Sequence, residues 1–219
     1  MPPRAGDDEL FGISASTIAH YRRMATVYRE ATWPHDVRQN IAALLGAIEG
    51  EPPFCILDLG CGPGRDLIAF RELGHEPIGL DGCPEFVEMA RAASGCEVWL
   101  QDLLALDLPA ERFDGIFANA VLFHVPSRAL PKVLADLWQA LGPGGVLFSS
   151  NPHGHNEEGL AGERYACFCD PATWRGLVEN AGFVLVDQYF RPPGKPRRLQ
   201  PWLATVWRKA GAESGDGAQ

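Results

Sequence analysis

Two acidic positions and a cluster of glycines carry residue types that can bind a ribose-containing ligand. The segment Asp58–Gly64 reads D-L-G-C-G-P-G and overlaps the end of the apolar run 54–59. Glycines after a strand let the backbone turn sharply and let a ligand approach the main chain closely. A second carboxylate, Asp81, ends the next apolar run, and such a carboxylate can accept hydrogen bonds from both ribose hydroxyls. A tight turn without a ligand is the alternative interpretation of the glycines.

A nicotinamide dinucleotide and S-adenosylmethionine both contain such a ribose. The glycine-rich segment continues with Arg65, where a dinucleotide-binding turn has the glycine that packs its helix. The third apolar run ends in Gln101-Asp102-Leu103. Asp102 can accept from the adenine amino group while the next backbone N–H reaches a ring nitrogen, although Asp102 alone also fits a helix cap. These features favour S-adenosylmethionine and make a dehydrogenase the weaker hypothesis.

Alternating strands and helices must position these residues. Helical periodicity separates five strand-like runs, which predicts a doubly wound parallel sheet. The five runs lie at 54–59, 77–80, 97–100, 113–118 and 146–150. Two more, at 183–190 and 202–207, have no helix between them and must form a hairpin, so one of them is antiparallel. The predicted fold is therefore α/β: a Rossmann-like, seven-stranded, mostly parallel sheet with an antiparallel strand in a C-terminal hairpin.

The predicted organisation has four parts. Residues 1–12 and 210–219 are small and polar and are expected to be flexible ends. Residues 13–50 are predicted to form an N-terminal lid and the first helices, one of which Asp36 caps and Gly50 ends. Residues 51–209 are predicted to form the S-adenosylmethionine-binding domain. Within it, Ser127 is predicted to cap the helix before the fifth strand.

Composition limits the partners of the chain. Its 28 acidic and 19 basic residues give a net charge of −9, whereas nucleic acids are bound by positive patches. No apolar run approaches the ~20 residues of a membrane span, and the first residues lack a secretory signal, so we expect a cytoplasmic protein without membrane contact. In such a reducing compartment, the even count of six cysteines does not imply disulfide bonds. The pair Cys167 and Cys169, near His153 and His155, favours an ordinary loop over a metal site.

The motifs resemble those of class I S-adenosylmethionine-dependent methyltransferases over about residues 15–209. Asp58–Gly64 resembles the first motif of that family, Asp81 the acidic end of the second, and Asp102-Leu103 the third. The run Phe113–Asn119 resembles the strand that faces the methyl donor, and Leu141–Leu147 resembles the turn before the fifth strand, with Gly142 where lysine is usual. The cofactor-binding residues that this implies are Tyr21, Asp58, Gly60, Gly62, Gly64, Arg65, Asp81, Gly82, Gln101, Asp102, Leu103, Asn119 and Ala120.

Two further resemblances concern the helix before the sheet and the acceptor. The segment Tyr21–Tyr28 resembles the Y-D-x-x-A-x-x-Y helix of the family, with Arg22 in place of aspartate. An aromatic stripe packed on the core is the alternative for these tyrosines. The segments 33–40, 149–152 and 191–207 resemble the methyltransferase domain of ovothiol biosynthesis, which methylates a ring nitrogen of 5-thiohistidine.

The acceptor is predicted to be a small polar molecule held at the ends of the fourth and fifth strands. His124 and Asn151 are the predicted catalytic residues, which position the acceptor. A structural histidine and a turn-forming asparagine before Pro152 are their alternatives. The predicted substrate-binding residues also include His35, Asn40, Tyr165 and Arg197.

Two alternatives stay open beside this hypothesis. Nucleic-acid methylation is disfavoured because Asn119-Ala120 does not continue into the Pro-Pro-aromatic run of base-methylating enzymes. Another small metabolite as acceptor, or a protein that binds S-adenosylmethionine without catalysis, fits the same motifs. The oligomeric state is expected to be a monomer or a homodimer.

Overall fold

A computed structural model describes the backbone of residues 5–211 and the side chains of residues 8–211. The strands it describes are β1 (Cys55–Leu59), β2 (Glu76–Asp81), β3 (Val98–Leu100), β4 (Phe113–Asn119), β5 (Leu141–Pro152), β6 (Glu157–Ala161), β7 (Arg164–Phe168), β8 (Phe183–Arg191) and β9 (Trp202–Lys209). The helices are α1 (Ala5–Thr32), α2 (Arg38–Leu45), α3 (Arg65–Glu72), α4 (Pro84–Ser94), α5 (Leu130–Ala140) and α6 (Pro171–Asn180).

Seven of these strands form one sheet in the order β3-β2-β1-β4-β5-β9-β8. Strands β1 to β5 are parallel, and β9 runs antiparallel to both β5 and β8. The predicted fold class, with its antiparallel strand in a C-terminal hairpin, is confirmed. Strand order reverses between β1 and β4, and ligands of such sheets bind at the carboxyl ends of the strands on either side of that reversal.

Helices cover both faces of the sheet because the central strands are apolar on both sides. On one face, α5 buries Leu134 and Leu137 completely. On the other, α2 buries Leu44 against Phe117 and Phe148, whose rings stack with centroids 4.9 Å apart. Each fully buried leucine contributes about 1.5–3 kcal/mol to folding. The two cores fix the central strands and therefore the position of their carboxyl ends.

Three sequence predictions about element ends are wrong. Residues 5–12 belong to helix α1, where a flexible end was expected. Helix α2 begins at Arg38 after its N-cap residue Val37 and ends at Leu45, so neither Asp36 nor Gly50 bounds it, and the Asp36 carboxylate accepts from both the backbone and the guanidinium of Arg38. Helix α5 begins at Leu130, because the Ser127 hydroxyl donates to Glu158 (2.8 Å). The predicted tail lies outside the described residues from 212 onward.

Strands β6 and β7 form a separate two-stranded hairpin that the sequence analysis did not predict. The hairpin lies against α1. The backbone N–H of Tyr165 donates to the Thr17 hydroxyl (3.0 Å), and the Ser16 hydroxyl donates to the carbonyl of Glu163 (3.1 Å). Helix α1 is therefore attached at mid-length to an element that follows β5 in the chain.

The described residues contain neither a membrane-spanning helix nor a metal-binding cluster. None of the described helices is both long and apolar enough to cross a bilayer. No group of three or more His, Cys, Asp or Glu side chains in this part of the chain is arranged to hold a metal ion. The Cys167 and Cys169 thiols lie 3.6 Å apart and are both buried.

Candidate functional site

The three glycines after β1 differ in what surrounds them. A Cβ atom on Gly60 would lie 2.3 Å from Val121 Cγ2, and one on Gly64 would lie 2.7 Å from the Ala90 Cα atom of α4. Gly64 therefore lets α3 and α4 pack closely and does not line the cavity described below. Gly62 has a φ of +52° and no atom closer than Tyr28 Cε1 at 3.9 Å to its ideal Cβ position. Its missing side chain leaves space open for a ligand.

Asp81 is held at the mouth of this turn by backbone donors. Gly62 N–H donates to Asp81 Oδ2 (2.9 Å) and Cys83 N–H donates to Oδ1 (2.8 Å). Burial raises the pKa of the Asp81 carboxyl to about 6, and these backbone hydrogen bonds act in the opposite direction. Each carboxylate oxygen retains acceptor capacity, so the side chain is fixed in place and can still accept from a hydroxyl pair.

Asp102 is fixed in a similar way at the end of β3. The Ser14 hydroxyl of α1 donates to Asp102 Oδ1 (2.8 Å), and the Leu104 backbone N–H donates to the same oxygen (2.9 Å). Both contacts use one oxygen, which leaves Oδ2 to accept from an amino group. Helix α1 therefore reaches the strand end at which adenine recognition is predicted.

These elements surround one cavity of about 720 Å³ at the carboxyl ends of β1, β2, β3 and β4. The predicted site residues that line it are Tyr21, Gly60, Gly62, Asp81, Gly82, Asp102, Leu103, Ala120 and His124. Residues that the sequence analysis missed also line it: Ser14, Thr17, Ile18, Tyr28, Cys83, Phe86, Leu104, Val121 and Val125. Spacing along α1 was a signal for part of this set, because Ile18, Tyr21 and Tyr28 repeat at helical intervals on one face.

Five predicted cofactor-binding residues lie outside the cavity wall. Gly64 is one of them, and Asp58 and Arg65 are two more. Asp58 is 2% exposed, and its Oδ2 has no partner among the described residues. Burial, reinforced by the neighbouring Asp66 carboxylate, raises the pKa of Asp58 well above its usual range. Arg65 donates to the Thr32 carbonyl (2.7 Å) and pairs with Asp66 (2.6 Å), which ties α3 to the end of α1.

Gln101 and Asn119 are the other two. The Gln101 side chain bonds the backbone of Asp107 through both its amide nitrogen and its amide oxygen, so it shapes the loop after β3. Asn119 accepts from the Asn40 amide (3.0 Å), and Tyr189 donates to Asn40 Oδ1 (3.0 Å). Asn40 is only 1% exposed, so the structure places it in a buried network and not at a substrate-facing surface.

Tyr21 and His124 form a hydrogen-bonded pair that faces the cavity. The Tyr21 hydroxyl lies 2.8 Å from His124 Nε2, and His124 Nδ1 lies 2.7 Å from the carbonyl oxygen of Tyr165. Because a carbonyl only accepts, Nδ1 carries the proton and Nε2 accepts from Tyr21. Burial lowers the pKa of His124 to about 4 and raises the pKa of Tyr21. The pair is therefore uncharged at neutral pH.

The remaining predicted substrate-binding residues do not face this cavity. Tyr165 contributes its carbonyl to His124, and its own side chain is 7% exposed and packed in the core. His35 is exposed after the end of α1. Arg197 is exposed on the β8–β9 connection, where its guanidinium lies over the Phe190 ring, 3.3 Å from the centroid.

Asn151 lies in a second, smaller cavity of about 270 Å³ at the end of β5. The short helical segment Leu122–His124 separates the two cavities: Leu122 and Phe123 line the smaller one and His124 the larger. Asn151 is 8% exposed, and neither its Oδ1 nor its Nδ2 has a hydrogen-bond partner among the described residues. The structure therefore does not bring the two predicted catalytic side chains into one cavity.

The segment that matches known proteins includes the glycine turn and the carboxyl ends of β1 to β4. Residues 56–145 match the methyltransferase domain family. Over these residues the chain is similar to methyltransferases. In the trans-aconitate 2-methyltransferase of Azoarcus sp., 116 residues are 35% identical, which covers 52% of this chain and 45% of that protein. The corresponding enzyme of Rhodopseudomonas palustris is 31% identical over 160 residues, 72% of this chain and 60% of that protein.

The methyltransferase fold extends beyond the matched segment. The 1,6-didemethyltoxoflavin-N1-methyltransferase of Burkholderia thailandensis, solved with its substrate and S-adenosylhomocysteine, superposes with a TM-score of 0.74. The superposition covers 96% of this chain and 92% of that one at 24% sequence identity, so the likeness concerns the fold. The chain spans 45% and 60% of the lengths of the Azoarcus and Rhodopseudomonas relatives.

Proposed function

We propose that the chain binds S-adenosylmethionine in the larger cavity and transfers its methyl group to a small polar acceptor. The observation that carries this proposal is the placement of Asp81, which backbone donors hold at the glycine turn with acceptor capacity left for two ribose hydroxyls. Asp102 stands at the next strand end with Oδ2 available for the adenine amino group. Gly62 leaves the space in which the methionine part would lie.

The proposed reaction is an in-line displacement at the methyl carbon. A lone pair of the acceptor forms the new bond to that carbon while the carbon–sulfur bond breaks and leaves its electron pair on sulfur, which gives S-adenosylhomocysteine. A neutral ring nitrogen takes over the positive charge and then releases a ring proton to solvent, whereas a carboxylate oxygen becomes a neutral ester. The sulfonium supplies the driving force, so the protein has to align acceptor, methyl group and sulfur. With a pKa of about 4, His124 is a weak base. The uncharged pair of Tyr21 and His124 therefore suits an acceptor that can attack without first losing a proton to the protein.

For the acceptor itself we infer a ring nitrogen of an imidazole-bearing amino acid similar to 5-thiohistidine. The segments that resemble the ovothiol methyltransferase domain support this inference, and so does the neutral hydrogen-bonding surface around His124. The similarity to trans-aconitate 2-methyltransferases supports a second candidate, a carboxylate oxygen of a small polycarboxylic acid.

The test has two stages. Calorimetric titration measures S-adenosylmethionine binding, with NAD as the comparison ligand. Release of S-adenosylhomocysteine is then followed with 5-thiohistidine, histidine and trans-aconitate as acceptors. The proposal expects binding of S-adenosylmethionine only, and turnover that is fastest with 5-thiohistidine. Turnover with trans-aconitate alone would select the second acceptor, binding without any turnover would leave a cofactor-binding protein, and no binding would refute the proposed function.

A further inference from the structure

Arg164 brings an unpaired positive charge to the Tyr21 side of the larger cavity. It is the first residue of β7 and is partly buried. Its Nη1 donates to the Tyr21 hydroxyl (3.3 Å), and its Cζ lies 5.8 Å from the centroid of the Tyr21 ring. Tyr21 in turn lines the cavity beside His124. The guanidinium is therefore one side chain away from the cavity.

Within the described part of the chain, Arg164 makes no ion pair with a carboxylate. Its neighbours on α1 differ: Arg22 pairs with Glu85 at 3.0 Å, and Arg23 pairs with Glu163. The carboxylate next to Arg164 in the chain, Glu163, is thus engaged by Arg23, and also by His20 at 3.3 Å. The contact with Tyr21 uses one of the five N–H groups of the Arg164 guanidinium. No other described residue accepts a hydrogen bond from this guanidinium, so its other N–H groups are available to a further partner.

An unpaired guanidinium of this kind matches a carboxylate. Its planar fork donates two parallel hydrogen bonds to the two carboxylate oxygens, which lysine cannot reproduce. The Tyr21 hydroxyl accepts from one Arg164 nitrogen while it donates to His124, so the guanidinium is oriented before any ligand binds. Burying part of a charge without a counter-ion costs free energy, and a bound carboxylate would recover that cost.

We propose that Arg164 binds a carboxylate at this end of the larger cavity. The proposal rests on the proposed function, since it concerns a ligand of the same cavity. Two carboxylates would be present during methyl transfer: that of the methionine part of the cofactor and that of an amino-acid or polycarboxylic-acid acceptor. The chemistry of recognition is the same for both, and binding experiments separate them.

The experiment compares Arg164→Gln with Arg198→Gln, an exposed arginine of the β8–β9 connection. Calorimetry measures the affinities for S-adenosylhomocysteine and for 5′-methylthioadenosine, which lacks the amino-acid part. If Arg164 binds the cofactor carboxylate, Arg164→Gln weakens S-adenosylhomocysteine binding at least about tenfold and leaves 5′-methylthioadenosine unchanged. If it binds the acceptor, both affinities are unchanged and the KM of a carboxylate-bearing acceptor rises at least about tenfold.

A conservative variant and a folding control separate loss of carboxylate binding from loss of structure. Arg164→Lys keeps the charge without the fork and is expected to lose less than Arg164→Gln, and circular dichroism confirms that each variant is folded. Unchanged affinity for S-adenosylhomocysteine together with unchanged KM for every carboxylate that the wild-type protein methylates would overturn the proposal. Failure of the wild-type protein to bind S-adenosylhomocysteine, or to methylate any acceptor, would instead refute the proposed function.

Discussion

The segment Leu122–His124 separates two cavities whose polar groups are satisfied in different ways. In the larger cavity, Asp81 and Asp102 each accept from backbone N–H groups, and His124 is held at both ring nitrogens. In the smaller one, Asn151 has a buried amide without a partner among the described residues. Positioned groups with spare capacity are typical of a binding site, whereas an orphaned amide is a cost to folding.

Helix α1 accounts for the difference. It supplies Ser14 to Asp102 and Tyr21 to His124, so that one element covers the strand ends and orients their side chains. No described side chain of α1 lines the smaller cavity, whose walls include Leu122, Trp174 and Leu203. A polar residue at the end of a strand is therefore insufficient by itself to indicate a binding site.

The largest expected effect belongs to Gly62→Val. The branched side chain would occupy the open space beside Tyr28, and a β-branched residue resists a φ of +52°. We expect loss of measurable S-adenosylmethionine binding in a protein that still folds. Gly74→Val is the matched control, since Gly74 has a φ of +86° and open surroundings away from the cavity. If calorimetry finds similar affinities in both variants, Gly62 does not face the cofactor.

Asp81→Ala should weaken S-adenosylmethionine binding by about 2–3 kcal/mol, because it removes charge-assisted hydrogen bonds to two ribose hydroxyls. The control is Asp136→Ala, which removes a surface carboxylate that pairs with Lys132 on α5. Titration calorimetry measures both. An affinity within twofold of wild type for Asp81→Ala would mean that the ribose is bound elsewhere.

Stability should depend on pH through His124. Its pKa in the folded protein, about 4, is below the ordinary 6.5, so the unfolded chain binds the proton more tightly. Stability is therefore complete above about pH 6.5 and falls as the pH decreases toward 4, by about 2 kcal/mol after allowance for partial exposure. Urea unfolding at pH 7 and 4.5 should show this fall in wild type and in the exposed-site control His35→Gln, and less of it in His124→Gln. Equal pH dependence in all three would contradict the burial of a neutral His124.

Asn151→Leu should have the smallest effect. It removes a buried amide that has no hydrogen-bond partner among the described residues, so we expect the free energy of unfolding to rise by about 1 kcal/mol or to stay unchanged. The predicted role of Asn151 in positioning the acceptor stays a prediction, and the same variant tests it. A marked rise in the acceptor KM, with unchanged cofactor affinity, would show that the smaller cavity takes part in acceptor binding.

The sequence predicted the parts of the site that depend on local pattern. Asp81 and Asp102 end apolar strands in a regular βα alternation, and parallel strand ends meet at one edge of a sheet. The β6–β7 hairpin was missed because Glu157–Ala161 shows no alternation of apolar and polar residues. Its position depends on distant contacts such as Ser127 with Glu158 and Thr17 with the Tyr165 backbone, which no local pattern reveals.

The assignment of individual roles was limited for the same reason. Gly64 and Arg65 belong to a glycine-rich motif, yet one packs against Ala90 and the other bonds the Thr32 carbonyl. Asn40 has a residue type that suits a substrate contact, but its partners are Asn119 and Tyr189. Sequence motifs therefore located the cavity, and tertiary contacts decided which motif residues face it.

A crystal structure of the protein with S-adenosylhomocysteine tests the central claim most directly. We expect the ligand in the larger cavity, with both ribose hydroxyls within hydrogen-bond distance of the Asp81 carboxylate, the adenine amino group at Asp102 Oδ2, and the sulfur near Gly62. A nucleoside bound elsewhere, or one whose ribose has no contact with Asp81, would contradict this expectation.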